Sequence, residues 1–202
     1  DVALKKHSVI LWMKVVVACV PAAVMGLLFD DWMEAHLMNA YVVAAALILY
    51  GILFIVVENI NYGKRPAIER VGDITYKTAL IIGLFQVLSL VPGTSRSGST
   101  ILGAMIIGCS RPAAAEFSFF LGIPVMFGAS LLKIVKFGFH FTGAEIFILL
   151  FGMVVAFIVS VFSIKFLMSY IRKNDFKLFG IYRIVLGVIV VIFFAVRTIM
   201  GL

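Results

Sequence analysis

The sequence predicts an all-α polytopic membrane protein with about five transmembrane helices and one re-entrant helix–loop–helix. Three observations carry this expectation. Hydrophobic residues make up 63% of the 202 and charged residues 13%, against roughly 45–50% and about 25% in a soluble domain; the mean hydropathy is +1.17. Five apolar runs come close to or exceed the roughly 20 residues a helix needs to cross a bilayer. Between the second and third of them lie two shorter runs, joined by a polar turn that reads Pro92-Gly-Thr-Ser-Arg-Ser-Gly-Ser-Thr100. Residues 1–202 are therefore expected to form a single integral membrane domain.

Taken in order, the first span covers 9–29, with Lys14 near its start and a kink expected at Pro21. The second covers 41–57 and ends at Glu58. Residues 59–77 are polar, and Asp73 or Thr75 is a suitable N-cap for the next helix. The run 78–91 would be roughly 21 Å long as a helix and 98–109 roughly 18 Å. Neither crosses a hydrocarbon core of about 30 Å. Residues 78–109 thus suggest a re-entrant pair with 92–100 at its tip, the rival being one broken span. Non-helical backbone at that depth must be buried in protein or line a cavity. Three further spans follow at 113–132, 144–167 and 178–200.

Orientation follows from basic residues in short loops. Segments 59–77 (Lys64, Arg65, Arg70, Lys77) and 165–177 (Lys165, Arg172, Lys173, Lys177) hold four each. The opposite loops hold none (30–40) and two (133–143: Lys133, Lys136). One assignment fits: 59–77, 165–177, Arg111, Lys5 and Lys6 cytoplasmic, the re-entrant pair entering from that side, the C-terminus outside. The net charge of +7 then belongs to topology and anionic headgroups, not to nucleic acid. The chain starts at Asp1 without Met or signal peptide, which suggests a fragment.

The tip carries the chemistry. Pro92 and Gly93 break a helix, and Arg96 sits among the hydroxyls of Thr94, Ser95, Ser97, Ser99 and Thr100. A buried Arg in a membrane needs a partner. Small residues with exposed N–H groups, hydroxyls and one guanidinium suit a phosphate. Gly93 and Gly98 let backbone approach an oxyanion, and the helix restarting near 97–99 aims its positive end at it. The spacing is that of a nucleotide P-loop, but its Lys and preceding strand are missing, which excludes an ATPase. The alternative is a capped loop whose Arg is neutralised by a carboxylate.

Glu116, one turn into the next span, is expected to pair with Arg96 or Arg111, or else to act as a base or metal ligand. Gln86 and Ser89, three apart, share a helix face; they line the cavity or bond neighbouring helices. Glu58, Asp30, Asp31 and Glu34 are expected as solvated span ends. His7, His36 and His140 lie in or near loops without ligand spacing, so no zinc site is expected. They also exclude the acid-phosphatase-like lipid phosphatases, whose Ser-Arg is followed by His and Asp. Cys19 and Cys109 suggest small buried hydrophobes, with no disulfide or metal framework.

The element Pro92–Thr100, preceded by Gly83-Leu-Phe-Gln86 and followed by Ser110-Arg111-Pro-Ala-Ala-Ala-Glu116-Phe-Ser-Phe-Phe-Leu-Gly-Ile-Pro124, resembles bacterial undecaprenyl-diphosphate phosphatases, the bacitracin-resistance protein family. Val20–Phe29 and Gly180-Ile-Tyr-Arg183 extend the resemblance along the chain. It implies removal of one phosphate from a C55 isoprenoid diphosphate, regenerating the carrier for cell-wall precursors and conferring bacitracin resistance. It implies a multi-pass protein of the bacterial cell (inner) membrane, part of an inverted-repeat architecture. Catalytic roles fall on Arg96 and Ser95, and substrate contacts on Gly93, Thr94, Ser97, Gly98 and Thr100, with support from Gln86, Ser89, Arg111 and Glu116. The family's earlier motif of two glutamates four apart, then Pro, serines and His, has no counterpart here. The nucleophile or base, and the ligands of the divalent cation (Mg or Ca) implied as cofactor, are accordingly expected outside this chain; none of its own residues is assigned to a metal. Partners implied are the polyprenyl diphosphate and membrane lipids, with a homo-oligomer left open. The competing functions are a polyprenyl-phosphate flippase without hydrolysis and a lipid-phosphate receptor.

Overall fold

The computed structural model describes residues 2–138 and 142–200. The expectations for His140 and for the side chains of Lys5, Lys6, His7 and Asp30 lie outside the described residues. The helices are α1 (Val2–Leu37), α2 (Ala40–Asn61), α3 (Tyr76–Val87), α4 (Arg96–Ile106), α5 (Arg111–Phe137), α6 (Gly143–Lys173) and α7 (Lys177–Ile199). Five contain stretches long and apolar enough to cross a membrane: Ser8–Phe29, Ala40–Asn61, Arg111–Phe137, Gly143–Lys173 and Lys177–Ile199. The protein is an all-α, multi-pass membrane protein.

Short polar side chains start most of these helices by accepting an otherwise unpaired N–H. Asn39 accepts from Val42 N (2.9 Å), Thr75 from Thr78 N (3.1 Å) and Ser110 from Ala113 N (3.2 Å). Thr142 and Glu145 form a reciprocal capping box on α6. Thr75 is thus the cap of α3, while Asp73 sits in a preceding one-turn 3₁₀ segment. Helices continue beyond the apolar runs: α1 reaches Leu37 and α5 reaches Phe137. Most of the loops expected at 30–40 and 133–143 are therefore helical, because polar residues at a span end do not stop a helix that is still gaining backbone bonds. Pro21 lies inside the continuous α1.

α3 and α4 form a helical hairpin. After α3 a 3₁₀ turn at Leu88–Leu90 leads into the polar tip. α4 then returns to the end where α3 began: Ala67 and Ile68 donate to the Gly108 carbonyl (2.9 and 3.1 Å), and Ser110 N donates to Ile68 O (2.8 Å). The same end gathers Lys14, whose Nζ donates to Gly72 O at 3.1 Å, and Asn61, whose amide donates to Met105 O at 3.3 Å.

The hairpin is packed between α1, α2 and α5, and α7 lies along α2. Close approach of these helices depends on small residues, as between membrane helices generally. A Cβ on Gly180 would lie 2.6 Å from Gly51 O, and one on Gly51 would lie 2.6 Å from Gly180 O. Gly83 faces the Ala18 backbone in the same way. The buried core runs through Val15, Ala18, Phe54, Ile82, Leu102, Phe117 and Leu121. α6 packs on α5 and exposes its apolar length.

Two expectations about charges are corrected. Glu58 is not a solvated end: its side chain is 0% exposed and paired with Arg111, with Nη2 to Oε2 at 2.5 Å and Nε 2.9 Å from each oxygen. It also accepts from Phe176 N at 2.9 Å. The partner of Arg111 is thus Glu58, not Glu116. A carboxylate at the end of α2 can be buried because α5 and the α6–α7 connection supply three donors. Glu116 instead faces a groove between α5 and α6, beside Phe120, Met168 and Arg172.

Candidate phosphate-binding site

The tip is a tight turn followed by a capped helix start. Gly93 adopts φ +86°, a conformation favoured only by glycine. A Cβ there would also lie 2.5 Å from the Val43 carbonyl oxygen. Thr94 N donates to Val91 O at 3.1 Å. Ser95 is the N-cap of α4; its Oγ accepts from Gly98 N at 3.1 Å and lies 3.1 Å from Ser97 Oγ. Ser99 N donates to Ser95 O at 2.9 Å. The N–H groups of Arg96 and Ser97, the first two of the helix, have no intrahelical acceptor.

Arg96 reaches across to α5. Its Nη1 donates to Ser118 O at 3.1 Å, and its guanidinium lies against Gly122, where a Cβ would come within 2.5 Å of Nη2. The recorded ion pair between described residues joins Arg111 to Glu58 and leaves Arg96 without a carboxylate. Among the described residues no carboxylate neutralises Arg96, neither the one expected of a capped loop nor Glu116. Thr100 is fully buried. Its hydroxyl makes contacts of 3.1 Å with the Arg96 and Ser97 carbonyls and 2.7 Å with Ser118 Oγ. It fastens the first turn of α4 to α5 and does not face the turn's surroundings.

Gln86 is 1% exposed, and neither amide atom has a partner; the same holds for the buried Ser99 hydroxyl. Ser89 donates to Gln86 O at 2.6 Å within its own segment. Among the described residues no group of three or more His, Cys, Asp or Glu side chains converges. The described residues do not make a site for the divalent cation that the resemblance implies.

Ser118 and Gly122 were missed as site residues in the sequence. Their signal is the spacing: two small residues four apart put a flat strip on one helix face, here the strip on which the guanidinium lies.

The family model described as bacitracin resistance protein BacA matches residues 2–189. The chain belongs to the BacA family. Among BacA relatives, the undecaprenyl-diphosphatase of Desulfitobacterium hafniense is 60% identical over 201 residues, covering 99% of this chain and 72% of that protein. An undecaprenyl-diphosphatase of Enterococcus faecalis is 62% identical over 193 residues, covering 96% and 70%. That of Acetivibrio thermocellus is 60% identical over 197 residues, covering 97% and 72%. The Pro92–Thr100 turn lies within the matched part of the BacA model.

Proposed function

We propose that this protein hydrolyses undecaprenyl diphosphate to undecaprenyl phosphate and inorganic phosphate, with the Pro92–Thr100 turn as its phosphate clamp. The observation that carries the proposal is Arg96: a guanidinium inside an apolar bundle, propped on Ser118 and Gly122, with no acid paired to it among the described residues. A planar fork of this kind binds two phosphate oxygens, and in a site of low polarity the attraction is much stronger than in water. The diphosphate supplies the charge that the fold withholds. Ser97 and the N–H groups of Arg96 and Ser97 offer further donors at the positive end of α4. Charge that develops on phosphate oxygens during transfer is stabilised best by donors already in position.

The other site residues divide by role. Thr94 and Ser97 contact the phosphate, Gly93 and Gly98 shape the turn, and Thr100 holds it to α5. Ser95 has its Oγ engaged with Gly98 N and Ser97 and has no His, Asp or Glu recorded against it. Its hydroxyl is committed to the start of α4, so Ser95 is assigned to shaping the turn and contacting phosphate. Arg111 and Glu58 fix the start of α5, and hence Ser118 and Gly122. The α3–α4 hairpin is proposed to enter the bilayer of the bacterial inner membrane from the side of the 62–75 connection, which basic residues mark as cytoplasmic. The prenyl chain would extend along apolar helix surface.

The test is release of inorganic phosphate from undecaprenyl diphosphate by the full-length protein in detergent with a divalent cation. Stoichiometric conversion to the monophosphate, with no further hydrolysis of it, is expected. Movement of the lipid between leaflets without phosphate release would instead identify a transporter.

A further inference from the structure

α7 carries a second cation inside the bundle. Arg183 lies three and four residues from Gly180 and Gly187, on the stripe of α7 that faces α2. There Gly180 meets the Gly51 backbone, and Gly187 meets Ala44 and Ile48. Nη1 of Arg183 is buried and has no hydrogen-bond partner. Its electrostatic neighbours are Tyr50 and Tyr182; no carboxylate is among them. The recorded ion pair between described residues does not involve it. An ionisable group in a membrane helix is costly, and it marks a ligand path or a partner.

Tyr50 fixes the depth of this cation. On α2 it lies between Val43 and Phe54, at steps of seven and four residues that keep all three on one helix face. Val43 is what a Cβ on Gly93 would strike, and the Phe54 ring is 3.5 Å from a Cβ on Gly98. Tyr50 therefore stands at the level of the phosphate turn, between its first and last glycines. Arg183 sits at that level from the α7 side. A diphosphate ester carries more negative charge than one guanidinium balances, and unbalanced charge in a site of low polarity is expensive.

We propose that Arg183 is a second phosphate-binding residue, holding one phosphate group of the lipid diphosphate while Arg96 holds the other. This rests on the reading of the turn as a diphosphate site. It gives the protein a means of telling diphosphate from monophosphate: both groups are needed to engage both cations.

The test is direct binding of undecaprenyl diphosphate and undecaprenyl phosphate to the full-length protein in detergent. The wild type is compared with Arg183→Gln and Arg183→Lys. Arg183→Gln is expected to lose about tenfold or more in affinity for the diphosphate and under about threefold for the monophosphate. Arg183→Lys keeps the charge without the fork and is expected to fall between. It also serves if the Gln variant does not fold. An unchanged preference for diphosphate in either folded variant overturns the inference. So does a loss confined to phosphatidylglycerol binding in nanodiscs, which would assign Arg183 to a bilayer headgroup. A wild type that binds the diphosphate without releasing phosphate counts against hydrolysis, not against Arg183, because the affinity ratio is read without turnover.

Discussion

Arg96 is held by two features of α5 that cost the fold little: the Ser118 carbonyl and the absence of a side chain at Gly122. That makes Gly122 a sensitive position. The atoms its Cβ would meet belong to the far end of a flexible side chain, so Gly122→Ala should fold normally while displacing the guanidinium. We expect kcat/KM to fall about tenfold or more with the thermal midpoint nearly unchanged; a fully active Gly122→Ala would mean the guanidinium need not lie there. The Glu58–Arg111 pair behaves in the opposite way. Glu58→Gln leaves a cation facing a neutral amide at the junction of α2, α5 and α7. Buried pairs broken on one side lose roughly 3–5 kcal/mol, but the Arg111 side chain is 36% exposed, so about 2 kcal/mol is expected after solvent screening. Thermal unfolding in detergent should show the drop, and an unaltered midpoint would remove the pair from the structural account. Hydropathy could not reveal this pair. Glu58 and Arg111 are 53 residues apart, and which acid meets which base is decided by packing, not by local pattern. Arg96 was legible because the break, the glycines and the hydroxyls around it are all local.

At the scale of elements, length showed that neither 78–91 nor 98–109 can cross a bilayer but left a hairpin and one broken span both open; the backbone bonds between 67–68 and 108–110 decide for the hairpin. The structure gives it as 3₁₀-extended α3 and an 11-residue α4. Helix ends were less legible, as α1 and α5 continue past their apolar runs. The pairing of α2 with α7 had a signal in Gly51, Gly180 and Gly187, but a glycine pattern does not name its partner. At Gly51 and Gly180 the nearest partner is a backbone oxygen, which cannot yield as a side chain can: a Cβ at Gly180 would lie 2.6 Å from Gly51 O. Gly180→Leu should therefore separate α2 from α7, lower the thermal midpoint and weaken phosphate release together. A variant as stable as the wild type would show that the helices can pack with a larger spacing.

For the whole molecule, the ends that meet near the 62–75 connection must lie on one side of the membrane. Single cysteines at Tyr62 and Asn174, both outside the helices, should be labelled from the same side by an impermeant maleimide, and from the cytoplasm if the basic residues orient the chain. Cys109 should not obscure this, because burial pushes its thiol up to about 11. It stays protonated and slow to react near pH 8. Labelling of the two positions from opposite sides would contradict the fold. Class, span number and family were all legible here because apolar length and the Pro92–Thr100 motif are properties of contiguous sequence. The props of Arg96 on a distant helix, Ser118 and Gly122, were not.

The most direct test of the central claim is phosphate release from undecaprenyl diphosphate by the full-length protein and its Arg96→Ala variant, both folded in detergent. If Arg96 is the phosphate clamp, kcat/KM falls about 100-fold or more, equivalent to about 2.7 kcal/mol of transition-state stabilisation. Undiminished release by Arg96→Ala would contradict the clamp.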